Sequence, residues 1–400
     1  MAEPVRLAMI GCGGMAGGHL RAYQTLKTRG IGNFELAAVC DTVEERARGF
    51  ARTIREFQGK SPNVYTAVEM MLKQESLTAA DIATPHCYHH ASALPCLESG
   101  VDVIIEKPLG ITVKASRKII ETAEQHGRIV ATAENIRRYL GQRTIHWVLN
   151  ERKMIGTPRL FFVQHASWSP SSLSSGAMQW RVQKRMSGGW MVMDSGAHYM
   201  DSIRYFFGDV DRVYAEVRAF EPKEYTDASG QTVCGDVEDS WTATLTFKSG
   251  LIGTWSWSQA APGKGFNHVL YYGSEGSIED TGDVFHGFMS GNPEVQLKEG
   301  SVKYLNDLKI EFLLSLDAGR KEQLFPHGIT DGVVLECYDF IDAVAHRRRP
   351  EVDGWDGLRA KAISEAIYES SWCGQAVSVD EVVAGKVEGY QKDINEYWKL

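Results

Sequence analysis

Residues 5–27, VRLAMIGCGGMAGGHLRAYQTLK, place a short apolar run, a glycine cluster and a helically spaced segment in direct succession. The run predicts a buried strand and the spacing after it predicts a helix, so the glycines form a strand-to-helix turn. Gly11, Gly13 and Ala16 fall on the G-x-G-x-x-G/A pattern. The first position permits a tight turn, the second lets backbone approach a pyrophosphate, and the small third lets helix pack on strand. Gly14 and Met15 complete the turn, where the first helical amides would face the phosphates. A second strand, ELAAVC (35–40), ends in Asp41. Its carboxylate can accept both ribose hydroxyls of NAD and would repel the 2′-phosphate of NADP. NAD is therefore the expected cofactor and NADP the disfavoured one, Thr42 following where a basic residue would suit NADP, although Arg46 and Arg48 lie close by. A ligand-free βα turn is the competing reading, and the complete strand-turn-helix-strand-Asp order argues against it.

The alternation continues with helices over 43–57, 67–74, 89–99 and 112–126 and strands over 80–84, 101–105 and 129–134. Strands separated by helices of this length predict an α/β fold with a doubly wound parallel sheet. After about residue 135 the pattern changes to a helix over 140–153, the strand-like RLFFVQHASWS, a helix over 189–207, and then VYAEVRAF, WTATLTF, LIGTWSWSQ and HVLYYG. Strand following strand predicts a C-terminal α+β domain with a large, mainly antiparallel open sheet. The expected division is 1–135, 136–378 and a C-terminal extension, 379–400, that packs on a neighbouring subunit, with a closing helix at about 355–373 returning to the first domain.

The 51 acidic against 43 basic residues, a net charge of -8, exclude phosphate-backbone binding as the main activity. Seven cysteines without a C-x-x-C pair indicate reduced thiols, and no run approaches the ~18 apolar residues of a membrane span. No leader is recognisable at the N-terminus. A cytoplasmic protein without membrane or nucleic-acid partners is expected.

MDSGAHYMD (193–201) carries Asp194, His198 and Asp201 at offsets of four and three. On a helix these share one face, about 5–6 Å apart, and could hold a metal, relay a proton or line a polar surface. No further His, Cys or carboxylate cluster completes a metal shell, so no metal is expected. His198 has the side chain suited to reversible proton transfer. Asp201 reads best as a buried acceptor.

The stretch ATPHCYHHASALPCLESGVDVIIEKPLG supplies Thr84, Pro85, His89, Glu106, Lys107 and Pro108 at strand ends. With SGGWMVMDSGAHYMD, EDSWTATLTFKSGLIGTW, YGSEGSI and DGLRAKAISEAIYESS, it resembles the Gfo/Idh/MocA oxidoreductases, named for glucose-fructose oxidoreductase and inositol dehydrogenase. Trp190 departs from that pattern where a third glycine is common, and AENIRRYLGQ follows it loosely. The resemblance implies an NAD(P)-dependent enzyme acting on CH–OH groups, with Gly11, Gly13, Gly14, Met15, Ala16, Asp41, Thr84, Pro85, His89, Glu106 and Lys107 holding the cofactor. It implies Lys107 at the reacting oxygen, His198 as general acid/base and Asp194 as its partner. A lysine at the carboxyl end of a parallel strand is partly desolvated, which favours its losing a proton.

Substrate contacts are expected from the loop over 168–189, where Trp168 and Trp180 could stack on a sugar ring and Arg181 could bond hydroxyls or an anion. Asn135 and Arg137 are further candidates, joined by Asp194 and His198; Arg138 reads equally well as solvated. Trp255 and Trp257 alternate onto one face and read as packing. The resemblance also implies a homo-oligomer, a dimer or tetramer through the C-terminal sheet. A ring-hydroxyl dehydrogenase for a sugar, glycoside or cyclic polyol is the leading expectation. The alternative is a glycoside hydrolase that oxidises transiently, eliminates and re-reduces on tightly held NAD; a non-catalytic nucleotide-binding protein is the third.

Overall fold

A computed structural model of the protein describes residues 3–173, 176–227, 229–290 and 292–400. The chain forms two compact units, Met1–Arg138 with Leu324–Leu358, and Tyr139–Gln323 with Arg359–Leu400.

In the first unit the chain runs β1 (Val5–Ile10), α1 (Gly14–Thr28), β2 (Phe34–Cys40), α2 (Glu44–Gln58), β3 (Asn63–Tyr65), α3 (Val68–Gln74), β4 (Ala79–Ile82), α4 (His89–Glu98), β5 (Asp102–Glu106), α5 (Val113–His126) and β6 (Val130–Ala133). The strands pair in parallel in the order β3-β2-β1-β4-β5-β6. β4, β5 and β6 are buried along their whole lengths, so they show no alternation of inner and outer faces, with Asp81 inside β4 and Asp102 and Glu106 at the two ends of β5 as their buried charges. The winding reverses between β1 and β4, and the carboxyl ends of adjoining strands there are where a doubly wound sheet takes a ligand.

The second unit contains α6 (Leu140–His146), continued by a π-turn over Trp147–Glu151, then β7 (Pro158–Ala166), α7 (Lys184–Ser187), α8 (Gly196–Phe207), β8 (Val210–Arg218), β9 (Glu224–Thr226), β10 (Thr232–Cys234), β11 (Ser240–Phe247), β12 (Ile252–Ser258), β13 (Phe266–Gly273), β14 (Gly276–Asp280), β15 (Glu294–Leu297), β16 (Val302–Tyr304), α9 (Leu305–Ser315) and α10 (Ala318–Leu324). α11 (Gly332–His346) belongs to the first unit, α12 (Gly354–Cys373) begins there and ends in the second, and β17 (Val377–Ser378), α13 (Val379–Val383) and α14 (Lys392–Trp398) complete the second.

Nine strands form the second sheet, β16-β15-β14-β13-β7-β12-β11-β8-β17, antiparallel except for the β7–β12 pair. Its inner face is aromatic. Trp241 stacks on Trp257 at 4.7 Å and meets Trp255 edge-on at 4.8 Å, so both tryptophans of β12 are packing residues. α8 lies on this face, with Tyr199 against Trp255 and Phe206 and Phe207 against Tyr271.

Two expectations change. Helix α8 starts at Gly196, so Asp194 sits in the run of turns before it rather than one turn up a shared helical face. The amides of Trp190 and Val192 donate to the buried Glu238 carboxylate, at 3.0 Å each, and the Gly196 amide reaches back five residues to the Met191 carbonyl, so this segment is a run of irregular turns. Arg138 is buried and ion-paired with Asp339 and Glu351, not solvated. The C-terminal extension packs on its own unit: Tyr390 stacks on Tyr368 at 4.5 Å, Lys184 pairs with Asp393 at 2.9 Å, and the Trp398 indole donates to the Arg185 carbonyl. The first unit, moreover, reclaims Leu324–Leu358, because α11 packs along α1 and β1. The basic cluster after α11 is spent on ion pairs, Arg347 with Asp102, Arg348 with Asp339 and Asp342, and Arg349 with Asp353 and Asp356.

Candidate functional site

In the first unit the glycine turn is built for close approach. Gly11 has φ +88°, its amide donates to the Cys40 carbonyl at 2.8 Å, and a Cβ there would lie 2.5 Å from the Ala83 carbonyl oxygen. Only glycine fits. Gly13 caps α1, and a Cβ on Gly13 or Gly14 would meet nothing within 4 Å, so the start of this 15-residue helix opens onto free space. Four amides at a helix start lack intrahelical acceptors, and a pyrophosphate satisfies them. Ala16 is buried, consistent with helix packing on strand, and Met15 is exposed beside the turn. Asp41 accepts from the Cys12 and Val43 amides, each at 2.8 Å, which fixes its carboxylate at the end of β2 beside the turn. These residues fit a dinucleotide: an open helix start for the phosphates and a fixed carboxylate for the ribose.

His89 is fully buried, and its ring nitrogens lie 2.9 Å from the carbonyl oxygens of Thr84 and Pro108. It ties the turn after β4 to the turn after β5, and burial pushes its pKa down despite the two carbonyls. Pro85 opens the short turn His86–Tyr88 that leads into α4. Glu106 is buried at the end of β5, with Oε1 3.0 Å from His19 and Oε2 accepting from the Lys107 amide at 3.2 Å. Both carboxylate oxygens thus have protein partners, where the resemblance implies cofactor. Lys107 itself is half-buried and its bond to Pro108 is cis. Asn135 and Arg137 follow β6, Arg137 buried in a single 3-10 turn.

In the second unit, Asp194 is held by Arg181, Nε to Oδ2 2.8 Å, and the Arg181 guanidinium lies 4.4 Å over the Trp180 ring. The residues expected to reach substrate from 180–181 therefore also orient Asp194. Trp168 is more than half exposed and its indole N–H donates to Glu221 at 3.0 Å. Ser174 and Ser175 of the same loop lie outside the described residues. Gly196 lets α8 begin against Trp255, since a Cβ there would be 2.9 Å from that ring. His198, two residues on, is buried, as is Asp201.

Two further residues at this site were not singled out from the sequence. The His286 ring lies 5.5 Å from that of His198 and bonds to Asp283 at 2.8 Å. Burial acts to raise the Asp283 carboxyl, but the bonds from His286 and from nearby backbone amides outweigh it and hold it down at about 2. His286 stands on an irregular segment between β14 and β15, where neither periodicity nor motif marks it. Glu238 lies in the EDSW stretch; its type was legible but its target was not.

Residues 5–134 match a family described as oxidoreductases with an NAD-binding Rossmann fold, and residues 149–279 match the Gfo/Idh/MocA C-terminal domain. The chain belongs to the Gfo/Idh/MocA oxidoreductase family. Similar Gfo/Idh/MocA sequences include a D-apiose dehydrogenase from Paraburkholderia graminis, 25% identical over 387 residues that cover 94% of this chain and 90% of the relative. A levoglucosan dehydrogenase from Pseudarthrobacter phenanthrenivorans is 24% identical over 423 aligned residues, 96% of this chain and 100% of the relative. A solved structure of levoglucosan dehydrogenase with NADH and levoglucosan matches with a TM-score of 0.74 at 21% identity, covering 94% of this chain and 100% of that one. This Gfo/Idh/MocA protein is an NAD-binding oxidoreductase, and its first unit carries the parallel sheet and glycine turn that the assignment requires. Among the described residues no helix is long and apolar enough to cross a membrane.

Proposed function

We propose that the protein is an NAD-dependent dehydrogenase oxidising a ring hydroxyl of a sugar, glycoside or cyclic polyol. Removing a hydride from such a carbon requires its hydroxyl proton to leave, so the reaction needs a base and a positive group that tolerates developing alkoxide charge. His198 is the base and Lys107 the positive group. Asp194, oriented by Arg181, steadies the imidazolium or bonds a neighbouring hydroxyl. Bound NAD supplies the hydride acceptor, held by Gly11–Ala16 and Asp41, with Thr84, Pro85 and His89 shaping the adjoining turns.

The observation that carries this reading is the buried His198 beside a second, Asp283-held imidazole and an Arg181-held carboxylate, on a chain whose other unit is a dinucleotide fold. The names of its relatives support a polyhydroxylated substrate. His286 stands beside His198 and is the more exposed of the two rings.

The test is NADH absorbance on incubation with NAD and levoglucosan, D-apiose or myo-inositol. Lys107→Ala and His198→Ala should each lower turnover by about 10²–10⁴-fold, the usual worth of a positioned acid/base group, with NAD affinity retained. Undiminished turnover in both variants would overturn the assignment. NAD-dependent glycoside cleavage without NADH accumulation would move it to the hydrolase route.

A homo-oligomer through the second sheet belongs to the same reading. Its outer face carries a registered row of exposed apolar side chains, Ile252, Leu160 and Tyr272, with Phe162 meeting Tyr272 edge-on at 6.2 Å. A second copy of this face would cover it. Seven cysteines outside any disulfide, five of them buried, support a reducing compartment such as the cytoplasm.

A further inference from the structure

Behind the Glu106–Lys107 strand end lies a buried ionisable cluster that the proposed reaction does not use. His19 and Tyr23 come from α1, Asp81 from β4, Glu106 from β5, and Glu336 and Cys337 from α11. The His19 Nδ1 lies 2.8 Å from Asp81 Oδ2 and its Nε2 lies 3.0 Å from Glu106 Oε1. Tyr23 donates its hydroxyl to the same Asp81 oxygen at 2.7 Å, and Glu336 Oε1 stands 3.5 Å from His19 Nε2.

A neutral imidazole carries one N–H and presents a lone pair at its other nitrogen. With a carboxylate at each nitrogen, only the doubly protonated ring donates to both. Burial alone would lower the His19 pKa, but the Asp81 charge and the bonds to Asp81 and Glu106 raise it well above the usual value. Glu336 supplies the opposite case: burial raises its pKa well above the usual carboxylate range, helped by Glu106 and Glu134 and opposed by His19 and Arg138. Among the described residues its Oε2 has no hydrogen-bond partner, consistent with a neutral acid. One imidazolium thus stands between two carboxylates, Asp81 and Glu106, and donates to both.

His19, Asp81 and Cys337 are also close enough together to suggest a metal ion. Two ligands of one tetrahedral zinc, each about 2.0–2.1 Å from it, stand roughly 3.3 Å apart. The 2.8 Å separation of Nδ1 and Oδ2 is instead a direct hydrogen bond.

We propose that His19 is a positioning residue for Lys107: as an imidazolium it pins the Glu106 carboxylate, whose second oxygen holds the Lys107 amide. The backbone from which the lysine side chain springs is thereby tied to α1, the helix whose start receives the pyrophosphate. This rests on Lys107 acting at the reacting oxygen, as proposed above.

Two measurements test it. The first needs no turnover. In ¹⁵N-detected spectra of the intact wild-type protein at pH 8, the ring resonances lost in His19→Gln should be those of a doubly protonated imidazole, and the Lys107 amide resonance should move in that variant. A neutral His19 ring or an unmoved Lys107 amide overturns the proposal, whatever the reaction is.

The second is a kinetic cycle on levoglucosan, D-apiose or myo-inositol. His19→Gln and Glu106→Gln should each lower kcat by about 10- to 100-fold, the cost of a misplaced reacting group, while KM and the NAD dissociation constant stay within about threefold. The double variant should be no worse than either single one, because both changes break one linkage. Additive losses, or unchanged kcat in His19→Gln, overturn it. Undiminished turnover in both Lys107→Ala and His198→Ala instead sinks the dehydrogenase mechanism, and the spectra still decide the His19–Glu106–Lys107 linkage.

Discussion

Replacing Glu238 tests whether the segment bearing Asp194 is held from below. The carboxylate is fully buried and accepts from the Trp190 amide and the Val192 amide at 3.0 Å and from the Tyr368 hydroxyl at 2.8 Å. Burial raises its pKa, and these three bonds oppose that rise. The Tyr368 hydroxyl also fills the space above Gly189, whose φ is +149° and where a Cβ would lie 2.1 Å from that oxygen. Glu238→Gln keeps the shape but turns an N–H₂ toward one of the three donors. Leaving one buried donor unpaired costs about 1–3 kcal/mol, so the urea midpoint should fall by an amount equivalent to about 2 kcal/mol. Glu238→Ala strands all three donors but also removes a costly buried charge, giving a loss of about 3 kcal/mol or more. Function should follow. The segment Trp190–Ser195 loosens, Asp194 loses its register with Arg181, and KM for the sugar rises several-fold while NAD affinity, set by residues of the first unit, stays the same. A Glu238→Gln protein with wild-type stability and wild-type KM would refute the reasoning.

Glu365 and Lys361 form a fully buried pair 2.6 Å apart. Burial pushes the Glu365 carboxyl from 4.5 up to about 7, so the folded protein keeps a proton that the unfolded chain releases; stability should fall as pH rises from about 4.5 to about 7, by about 3 kcal/mol at 1.36 kcal/mol per unit. Glu365→Gln should remove that slope in urea midpoints at pH 5 and pH 8, and parallel slopes in both proteins would contradict it. Asp41→Asn should raise the kcat/KM for NADP relative to NAD on the order of tenfold, since a charge opposing the 2′-phosphate is lost; an unchanged ratio would show that Asp41 serves only the Cys12 and Val43 amides. Leu160→Glu, on the exposed row of β7, should dissociate the proposed oligomer in light scattering without lowering NAD affinity, and an unaltered mass would remove that sheet face as the proposed interface.

The first unit was legible because its signals are local. Apart from β3, the three-residue edge strand NVY that carries no such signal, its strands are short, mainly apolar runs, and the Gly11 turn is specified by the few residues that build it. The start of α8 was not legible, because the turns before it are irregular and are anchored by Glu238, 48 and 46 positions from the two amides it accepts from. Periodicity describes a helix face; it contains no information on which distant acceptor captures the first amides. Arg181 and Asp194 show the same limit at shorter range: both types were evident, but that one orients the other is a distance of 2.8 Å between a loop and a turn. The boundary between units moved for a related reason, since α11 reads as an ordinary amphipathic helix and only its packing along α1 assigns it to the first unit.

His19 and His286 are the instructive pair. Each is a histidine without a motif of its own, and what distinguishes them is surroundings. His19 sits on the buried face of α1 among Leu20, Tyr23 and Leu26, a place where an imidazole survives only if both its nitrogens are satisfied. An isolated polar residue on an apolar helical face is therefore a sequence signal for a partner, though not for its identity. His286 lies on an irregular segment, where a polar residue needs no explanation, and its nearness to His198 could come only from the fold. The chemistry proposed for this protein follows that division: residue types with one meaning, such as the glycine turn, were readable in advance, whereas residues whose role is conferred by a partner became readable only when the partner was in place.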